Sequence, residues 1–338
     1  MEKAKVNVLL IGGGGVGTVA AVNLEAGGLA EVSMVLRSNY QHVKTHGYSI
    51  ESPDHGSISG WRPTEVLKNV PNAAEDNARK FDFLILATKN IPGNGPALVD
   101  IVRPAVTHST TSILLLQNGL NIEKPFISAF PENVILSGIS MMGSREIEPG
   151  VIRHIGHDSS LIGVFPGQRM PEQVGVETAL HFCKVYLAAG KATCAYDDDV
   201  SRSRWRKLVY NASFNPICAI TGMDTGSVRL ADDAVEKLVR PAMEEIRTCA
   251  AAAGHELPED IADKCLNFDP IEMHYVPSML EDLRRGNLIE YENILGEPLK
   301  TAQKLGVPMP TISFLYSVCK TIQWKMKMEG SRQKIDAK

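Results

Sequence analysis

An α/β domain followed by an all-α domain is the fold class that this 338-residue sequence predicts, on three observations. The N-terminal part alternates short, continuous apolar runs with helical patterns, as parallel strands buried on both faces and joined by helices do. From Asp199 onward almost every segment reads as helix. The chain is also longer than a single hydrophobic core usually serves. The expected division is therefore residues 1–198 and 199–330, with 331–338 as a flexible tail.

The elements follow in order. Val6 to Ile11 reads as a strand, Val16 to Ala26 as a helix closed by Gly27 and Gly28, and Val32 to Leu36 as the second strand. Phe83 to Ala87 and Ile113 to Leu116 are further apolar runs, with a helical stretch around Ala97 to Val106 between them. Val134 to Ile139, Val151 to Ile155 and Ser160 to Phe165 read as paired strands at the edge of the same sheet, and Glu172 to Ala189 as an amphipathic helix. The helices expected next are Val200 to Ile220, Asp232 to Ala253, Pro258 to Leu266, Pro277 to Arg285, Leu288 to Leu305 and Thr311 to Met328. Their breaks are Gly254, Gly286 and the run Gly306 to Pro310, and Asp197 to Asp199 place acid where a helix N-terminus favours it.

Composition narrows the class of function. With 44% hydrophobic and 22% charged residues and a net charge of −4, the chain offers no broad basic field for nucleic acid or anionic lipid. Lys325, Lys327, Arg332, Lys334 and Lys338 form its one basic cluster and read as a solvated tail. The N-terminal apolar stretch is broken by glycines and matches neither a signal peptide nor a membrane span, so a cytoplasmic location is expected. The six cysteines show no CxxC pair and no zinc-site spacing, and read as small buried hydrophobes. A small-molecule partner is expected, with no nucleic acid, membrane or metal, and a homodimer is compatible with the sequence.

The segment IGGGGVG carries Gly12, Gly14 and Gly17 in GxGxxG register, directly after a strand and opening a helix. In that setting the first glycine permits a tight turn, the second lets a pyrophosphate approach the helix N-terminus, and the third lets helix and strand touch. The α/β domain is thus expected to be a Rossmann-type dinucleotide-binding domain, with Gly15 and Val16 also at the cofactor. Arg37 follows the second strand, where such sites read the ribose; a guanidinium there suits a 2′-phosphate, which favours NADP over NAD. Glu31 precedes that strand and would lie at the wrong end of the sheet to bind ribose. Thr88, Lys89 and Asn90 after FLILA, and Gln117, Asn118 and Gly119 after ILLL, end strands whose carboxyl ends should face the cofactor crevice.

In KLVYNASFNPICAI, Lys207, Asn211 and Asn215 recur every fourth residue among apolar neighbours. On one helix a step of four drifts only ~40°, so the three would lie within ~80° of one another and ~12 Å of rise. Burying an ammonium and two amides without partners would cost several kcal/mol, so this face is expected to open onto a polar cleft.

With these residues in view, the chain resembles the ketopantoate reductase family, which reduces 2-dehydropantoate to pantoate with NADPH. The resemblance runs through GGGGVG, VLRS, ATKN, LLLQNGLN, GVIRHIG, the KLxxNxxxNP segment, PSMLEDLRRG and LIEYENILGEPLKTAQKLGVPMPT. It implies Lys207 as general acid, Glu290 as a catalytic carboxylate of the cleft, Asn211, Asn215, Ser278 and Asn118 as substrate-binding groups, and pantothenate biosynthesis as the setting. It also implies NADPH at Gly12, Gly14, Gly15, Val16, Gly17, Arg37, Lys89 and Asn118. Independently, hydride arriving at a 2-oxo carbon leaves negative charge on the carbonyl oxygen, which an ammonium can stabilise and then protonate.

The sequence departs from the family's pattern at Ile289, Tyr291, Glu292 and Leu295, expected to border the substrate end of the cleft, which opens the way to another carbonyl substrate. A β-hydroxyacid dehydrogenase also pairs a GxGxxG domain with a KxxxN lysine, but Asn215 and the Ser278 to Glu290 stretch favour the reductase. A non-catalytic NADP sensor would need only phosphate and ribose contacts, and the retained Lys207, Asn118 and Glu290 argue against it.

Overall fold

The structure, a computed structural model, describes residues 5–75 and 78–336, with side chains described as far as Glu329. Its contacts divide the chain into two compact units: residues 1–117 with 122–200, and residues 201–338 with the tetrapeptide Asn118–Asn121.

The first unit is built on an eight-stranded sheet. Its strands are β1 (Val6–Ile11), β2 (Ala30–Val35), β5 (Glu65–Leu67), β6 (Phe83–Leu86), β7 (Ser112–Leu115), β8 (Ile135–Ser140), β11 (Ser159–Val164) and β12 (Thr193–Tyr196). They lie in the order β12-β11-β8-β7-β6-β1-β2-β5, parallel except where β11 runs against β8. The chain winds outward from β1 through β2 and then returns to β6 on the other side of β1. That reversal makes the carboxyl ends of β1 and β6 the topological switch point, where open α/β sheets bind ligands.

Alternation along the strands decides which helices cover which face. Val8, Leu10, Phe83, Ile85 and Leu114 pack with helices α1 (Gly15–Ala26) and α5 (Glu172–Leu187). Leu9, Ile11, Leu84, Leu86 and Ile113 pack on the other side with α3 (Leu98–Val102) and α4 (Lys124–Ala129). Each such buried side chain contributes roughly 1.5–3 kcal/mol, and Ile85→Ala would cost about 2–5 kcal/mol. Asn23 Nδ2 donates to the Tyr186 carbonyl at 2.7 Å and ties α1 to α5.

A second, four-stranded sheet stands apart: β3 (Tyr48–Ser52), β4 (Gly56–Trp61), β9 (Gly143–Glu148) and β10 (Val151–Ile155), in the order β4-β3-β10-β9. The expectation that Val151 to Ile155 borders the main sheet is therefore corrected. The segment alternates between buried and open side chains, a one-sided pattern, and Gly150 turns at φ +74° to fold it back on β9. Hairpin β3–β4, which starts after short helix α2 (Tyr40–His46), and strands β5 and β12 have too little apolar contrast to be read from sequence.

The second unit is helical: α6 (Val200–Asn211), α7 (Phe214–Thr221), α8 (Thr225–Leu230), α9 (Arg240–Ala252), α10 (Ile261–Leu266), α11 (Ser278–Arg284), α12 (Glu297–Leu305) and α13 (Pro310–Asp336). Its core gathers Trp205, Val209, Phe214, Met243, Ile246, Leu295 and Ile312. Glu245 on α9 accepts from the amides of Thr311 and Ile312, both at 2.9 Å, and so satisfies the open N-terminus of α13. Helix α13 continues past Met328 as far as Asp336, so residues read as a tail are helical to that point. Lys338 and the side chains of Arg332 and Lys334 lie outside the described residues. All six cysteines are free thiols, five of them buried.

Two helical expectations are corrected. Val200 to Ile220 is not one helix: Ala212 and Ser213 separate α6 from α7. Pro216 has no amide to donate, and its ring would clash with the carbonyl four residues back, so it fits only in the first turn of a new helix. Ser213 Oγ donates to the Val209 carbonyl at 2.7 Å and covers part of the broken ladder. Leu288 to Glu290 is not helical either; the chain turns into helix only at Tyr291, through a π-helical turn at Glu292–Gly296.

Candidate active site

The glycine loop between β1 and α1 is shaped by close contacts. Gly12, at φ +119°, lies so near the end of β6 that a Cβ would come within 2.8 Å of the Ala87 carbonyl carbon and the Thr88 nitrogen. A Cβ on Gly17 would stand 2.0 Å from the Gly12 oxygen, the close helix-to-strand approach expected of the third glycine. Gly14, which caps α1, has nothing within 4 Å of where its Cβ would be. Backbone at the start of a helix thus faces open space, the surroundings an anionic pyrophosphate requires. Gly15, by contrast, packs against the backbone of Ser144 and Arg145 on β9, and Val16 is half-buried.

Sequence reasoning missed the groups that brace this loop. The Gly13 carbonyl accepts from Asn39 Nδ2 at 3.0 Å and from the Tyr48 hydroxyl at 3.2 Å, and Asn39 Nδ2 also donates to Glu146 Oε1 at 2.8 Å. Burial pushes the Tyr48 hydroxyl pKa upward, so it remains a donor. The local signal was slight: single polar residues at the starts of α2 and β3.

Arg37 is exposed just beyond β2. Lys89 is exposed after β6, and the Gln117 side chain beyond β7 donates to the Thr88 carbonyl at 2.7 Å, joining the ends of neighbouring strands. Glu31 sits within β2 and is occupied by ion pairs with Lys5 and Arg79.

In the helical unit, the geometry converges on Lys207 of α6. Its Nζ donates to Asn118 Oδ1 at 2.8 Å. Burial lowers its pKa to about 8; the neighbouring Arg204 charge pulls the same way, and the Glu290 carboxylate opposes both. Glu290 is buried although it is a carboxylate in non-helical chain. It is held from both sides, since the buried Gln323 of α13 accepts from the Ile289 amide at 2.7 Å, and the Glu290 carbonyl receives the Ile294 amide at 3.4 Å.

The tetrapeptide carrying Asn118 is secured along its whole length. Arg204 donates to the Gly119 carbonyl at 3.0 Å; Leu120 donates its amide to the Asn293 carbonyl at 3.0 Å and accepts from Asn293 Nδ2 at 3.2 Å; Asn121 Nδ2 donates to Glu297 Oε2 at 2.7 Å. Gly119, at φ +94°, admits no side chain because a Cβ would come within 2.5 Å of the Asn293 oxygen.

Asn211 closes α6 and is half-buried, whereas Asn215 lies beyond the break, buried near the start of α7. The comb therefore spans two helices, and a constant step around one axis does not describe it. Ser278 opens α11 and is exposed on a helix that packs against α7. The residues expected to border the substrate end of a cleft turn inward instead: Ile289 and Leu295 belong to the core. Tyr291 packs on the ring of Tyr316 at 5.4 Å, and Glu292 accepts the Tyr316 hydroxyl at 3.0 Å. The π-helical turn begins just after Tyr291, and Ile294 and Leu295 within it join the same core.

A doubly wound sheet with a glycine loop at its switch point, followed by a helical unit with a lysine held by an asparagine amide and a buried carboxylate, defines the class of two-part dinucleotide-binding oxidoreductases. Residues 8–167 match the family described as ketopantoate reductase PanE/ApbA, and residues 199–323 its C-terminal domain; the chain belongs to the ketopantoate reductase family. A Saccharomyces cerevisiae relative, uncharacterized protein YDL144C, is 35% identical and covers 98% of this chain and 97% of its own. The solved 2-dehydropantoate 2-reductase of Methylococcus capsulatus is 32% identical with a TM-score of 0.78, covering 95% of this chain and 98% of its own. A D-mandelate dehydrogenase solved with NADH and anilino(oxo)acetate shares the fold at 22% identity and a TM-score of 0.79, over 95% of this chain and 99% of its own. Among the described residues no helix is long and apolar enough to cross a membrane, and no cluster of metal-ligating side chains occurs.

Proposed function

We propose that the protein reduces a 2-oxo acid to the 2-hydroxy acid with NADPH, and that 2-dehydropantoate is the substrate to test first. The observation that carries the reading is the placement of Lys207: a lysine whose pKa is lowered to about 8, held by Asn118, with the buried Glu290 acting on its charge. NADPH, when bound, supplies the hydride. The Gly14 end of α1 would receive its pyrophosphate and Arg37 its 2′-phosphate, and the open space at Gly14 fits that group. Lys207 then stabilises the oxygen that gains charge and gives it a proton, and Glu290 favours the protonated lysine from which that proton comes. Asn211, Asn215 and Ser278 orient the substrate's oxygens through neutral groups, and Asn118 sets the direction of the ammonium.

The family membership and the NADH-bound neighbour of the same fold support a nicotinamide cofactor. The preference for NADPH rests on Arg37. Oxidation of NADPH followed with 2-dehydropantoate, several other 2-oxo acids, and 3-hydroxy acids with NADP in the reverse direction tests the reading. Turnover of 2-oxo acids supports it; oxidation of 3-hydroxy acids alone would replace it with a β-hydroxyacid dehydrogenase. Tight NADPH binding without any turnover would replace it with a sensor.

A further inference from the structure

Two cations share one side of α6. Arg204 and Lys207 are three residues apart, a spacing that makes side chains neighbours on a helix, and Arg204 is buried. A buried guanidinium is expensive unless it is matched to acceptors, so its placement needs a reason. The local geometry supplies one: Arg204 holds the Gly119 carbonyl at 3.0 Å, and Lys207 holds the side chain of the preceding residue, Asn118, at 2.8 Å. Two adjacent residues of one tetrapeptide are thus gripped by two adjacent cations of one helix.

We propose that Arg204 is a positioning residue for the proton donor: by fixing the Gly119 carbonyl it aims Asn118 at the Lys207 ammonium, and its permanent charge stands beside that ammonium. The inference rests on Lys207 being the proton donor. Asn293 and Glu297 hold Leu120 and Asn121, farther along the tetrapeptide, so Arg204 is the anchor next to the asparagine that matters. Arginine keeps its proton under all working conditions, so its charge is constant while that of lysine is not. Among the described residues, the charged groups that shift Lys207 are Arg204 on the same helix and Glu290 from the segment before the π-helical turn, and they act in opposite directions. Burial is the largest influence on the lysine and Arg204 adds to it, which brings the acid toward the pH at which a proton is transferred most readily.

The test compares Arg204→Gln, Arg204→Lys and Asn293→Ala with the unaltered protein. One readout is the pH profile of kcat in NADPH-dependent 2-oxo acid reduction; the other is direct titration of Lys207 by NMR in protein labelled with 13C-lysine, its signal assigned with Lys207→Arg. Arg204→Gln should lower kcat about 10- to 100-fold, with a small change in KM, and move the basic limb and the lysine titration upward by about 1 pH unit. Arg204→Lys keeps the charge and loses the fork, so its titration should stay near the original while kcat remains reduced. Asn293→Ala loosens the same tetrapeptide without altering charge and should leave the titration in place. A Lys207 titration unmoved in Arg204→Gln, or moved equally in Asn293→Ala, overturns the proposal. Should the unaltered protein turn over no 2-oxo acid while its Lys207 titration still shifts in Arg204→Gln, the functional reading fails and the electrostatic pairing stands.

Discussion

The glycine loop of the first unit presents backbone, and the Lys207 region of the second presents side chains. Around the loop, the proposed binding depends on atoms that are missing: Gly12 and Gly17 allow contacts that a Cβ would forbid, and Gly14 leaves space. Around Lys207, the proposed chemistry depends on polar groups that are paired and partly or fully buried. The first arrangement is short-range, since consecutive residues and one strand end create it. The second collects residues from α6, the Asn118–Asn121 tetrapeptide, the segment before the π-helical turn and α13. Substitutions should therefore separate binding from chemistry.

The largest effect is expected at Lys207. In Lys207→Ala the proposed proton donor is gone while the glycine loop is untouched, so kcat should fall about 100- to 10,000-fold, with NADPH affinity nearly unchanged. Steady-state kinetics with a separate fluorescence titration of NADPH measures both. Equal losses in turnover and affinity would mean that Lys207 serves the cofactor or the fold.

The reverse pattern is expected at Gly14. A Cβ there meets nothing in the protein, so Gly14→Ala should melt within a degree or two of the parent while binding NADPH about 100-fold more weakly, roughly 2.7 kcal/mol. Calorimetric melting beside the same titration distinguishes the alternatives: a large drop in melting temperature would show that the loop itself cannot tolerate the substitution.

The contrast in construction also explains what could be read in advance. The loop was legible because strand, glycine register and helix follow one another in the chain, so spacing alone carried the geometry. The α/β-then-α order was legible for the same reason: continuous apolar runs such as FLIL and ILLL mark strands covered on both faces. The second region was legible only in its residue types. Regular spacing suggested that Lys207 and Asn215 share one helix, yet Pro216 forces a break before it and Ser213 closes that break. Arg204 and Asn293 gave no signal, because an arginine in a helix and an asparagine near a helix start are ordinary until burial is known. Tyr291 and Leu295 looked like candidates for substrate contact because they differ from the family, yet both pack in the core of the helical unit, a burial that spacing in the chain does not reveal.

A smaller and more selective change is expected at Arg37, which belongs to the first region but acts through its side chain. Losing one charge-assisted contact to a phosphate costs about 1.5–3 kcal/mol, so Arg37→Ala should weaken NADPH about 10- to 100-fold and NADH hardly at all. Affinities for the two cofactors, measured side by side, decide it. Equal weakening of both would remove the argument for a 2′-phosphate site.

The mildest test uses pH alone and needs no substitution. The Lys207 pKa is lowered from 10.5 to about 8, chiefly by burial, with Arg204 adding to the effect and Glu290 opposing it. Below that value the acid holds its proton; above it the acid is empty, so the rate of reduction should fall about tenfold for each further pH unit, while oxidation of the hydroxy acid should rise. NADPH affinity should stay flat across the same limb, because phosphates and arginine do not titrate there. Stability moves with the opposite sign. Between about 8 and 10.5 the unfolded chain retains a lysine proton that the fold has released, so the Lys207 contribution favours the folded state increasingly as pH rises through that interval. A basic limb shared by turnover and NADPH binding would mean that the titrating group acts on the cofactor, and would remove the separation of binding from chemistry argued for these residues.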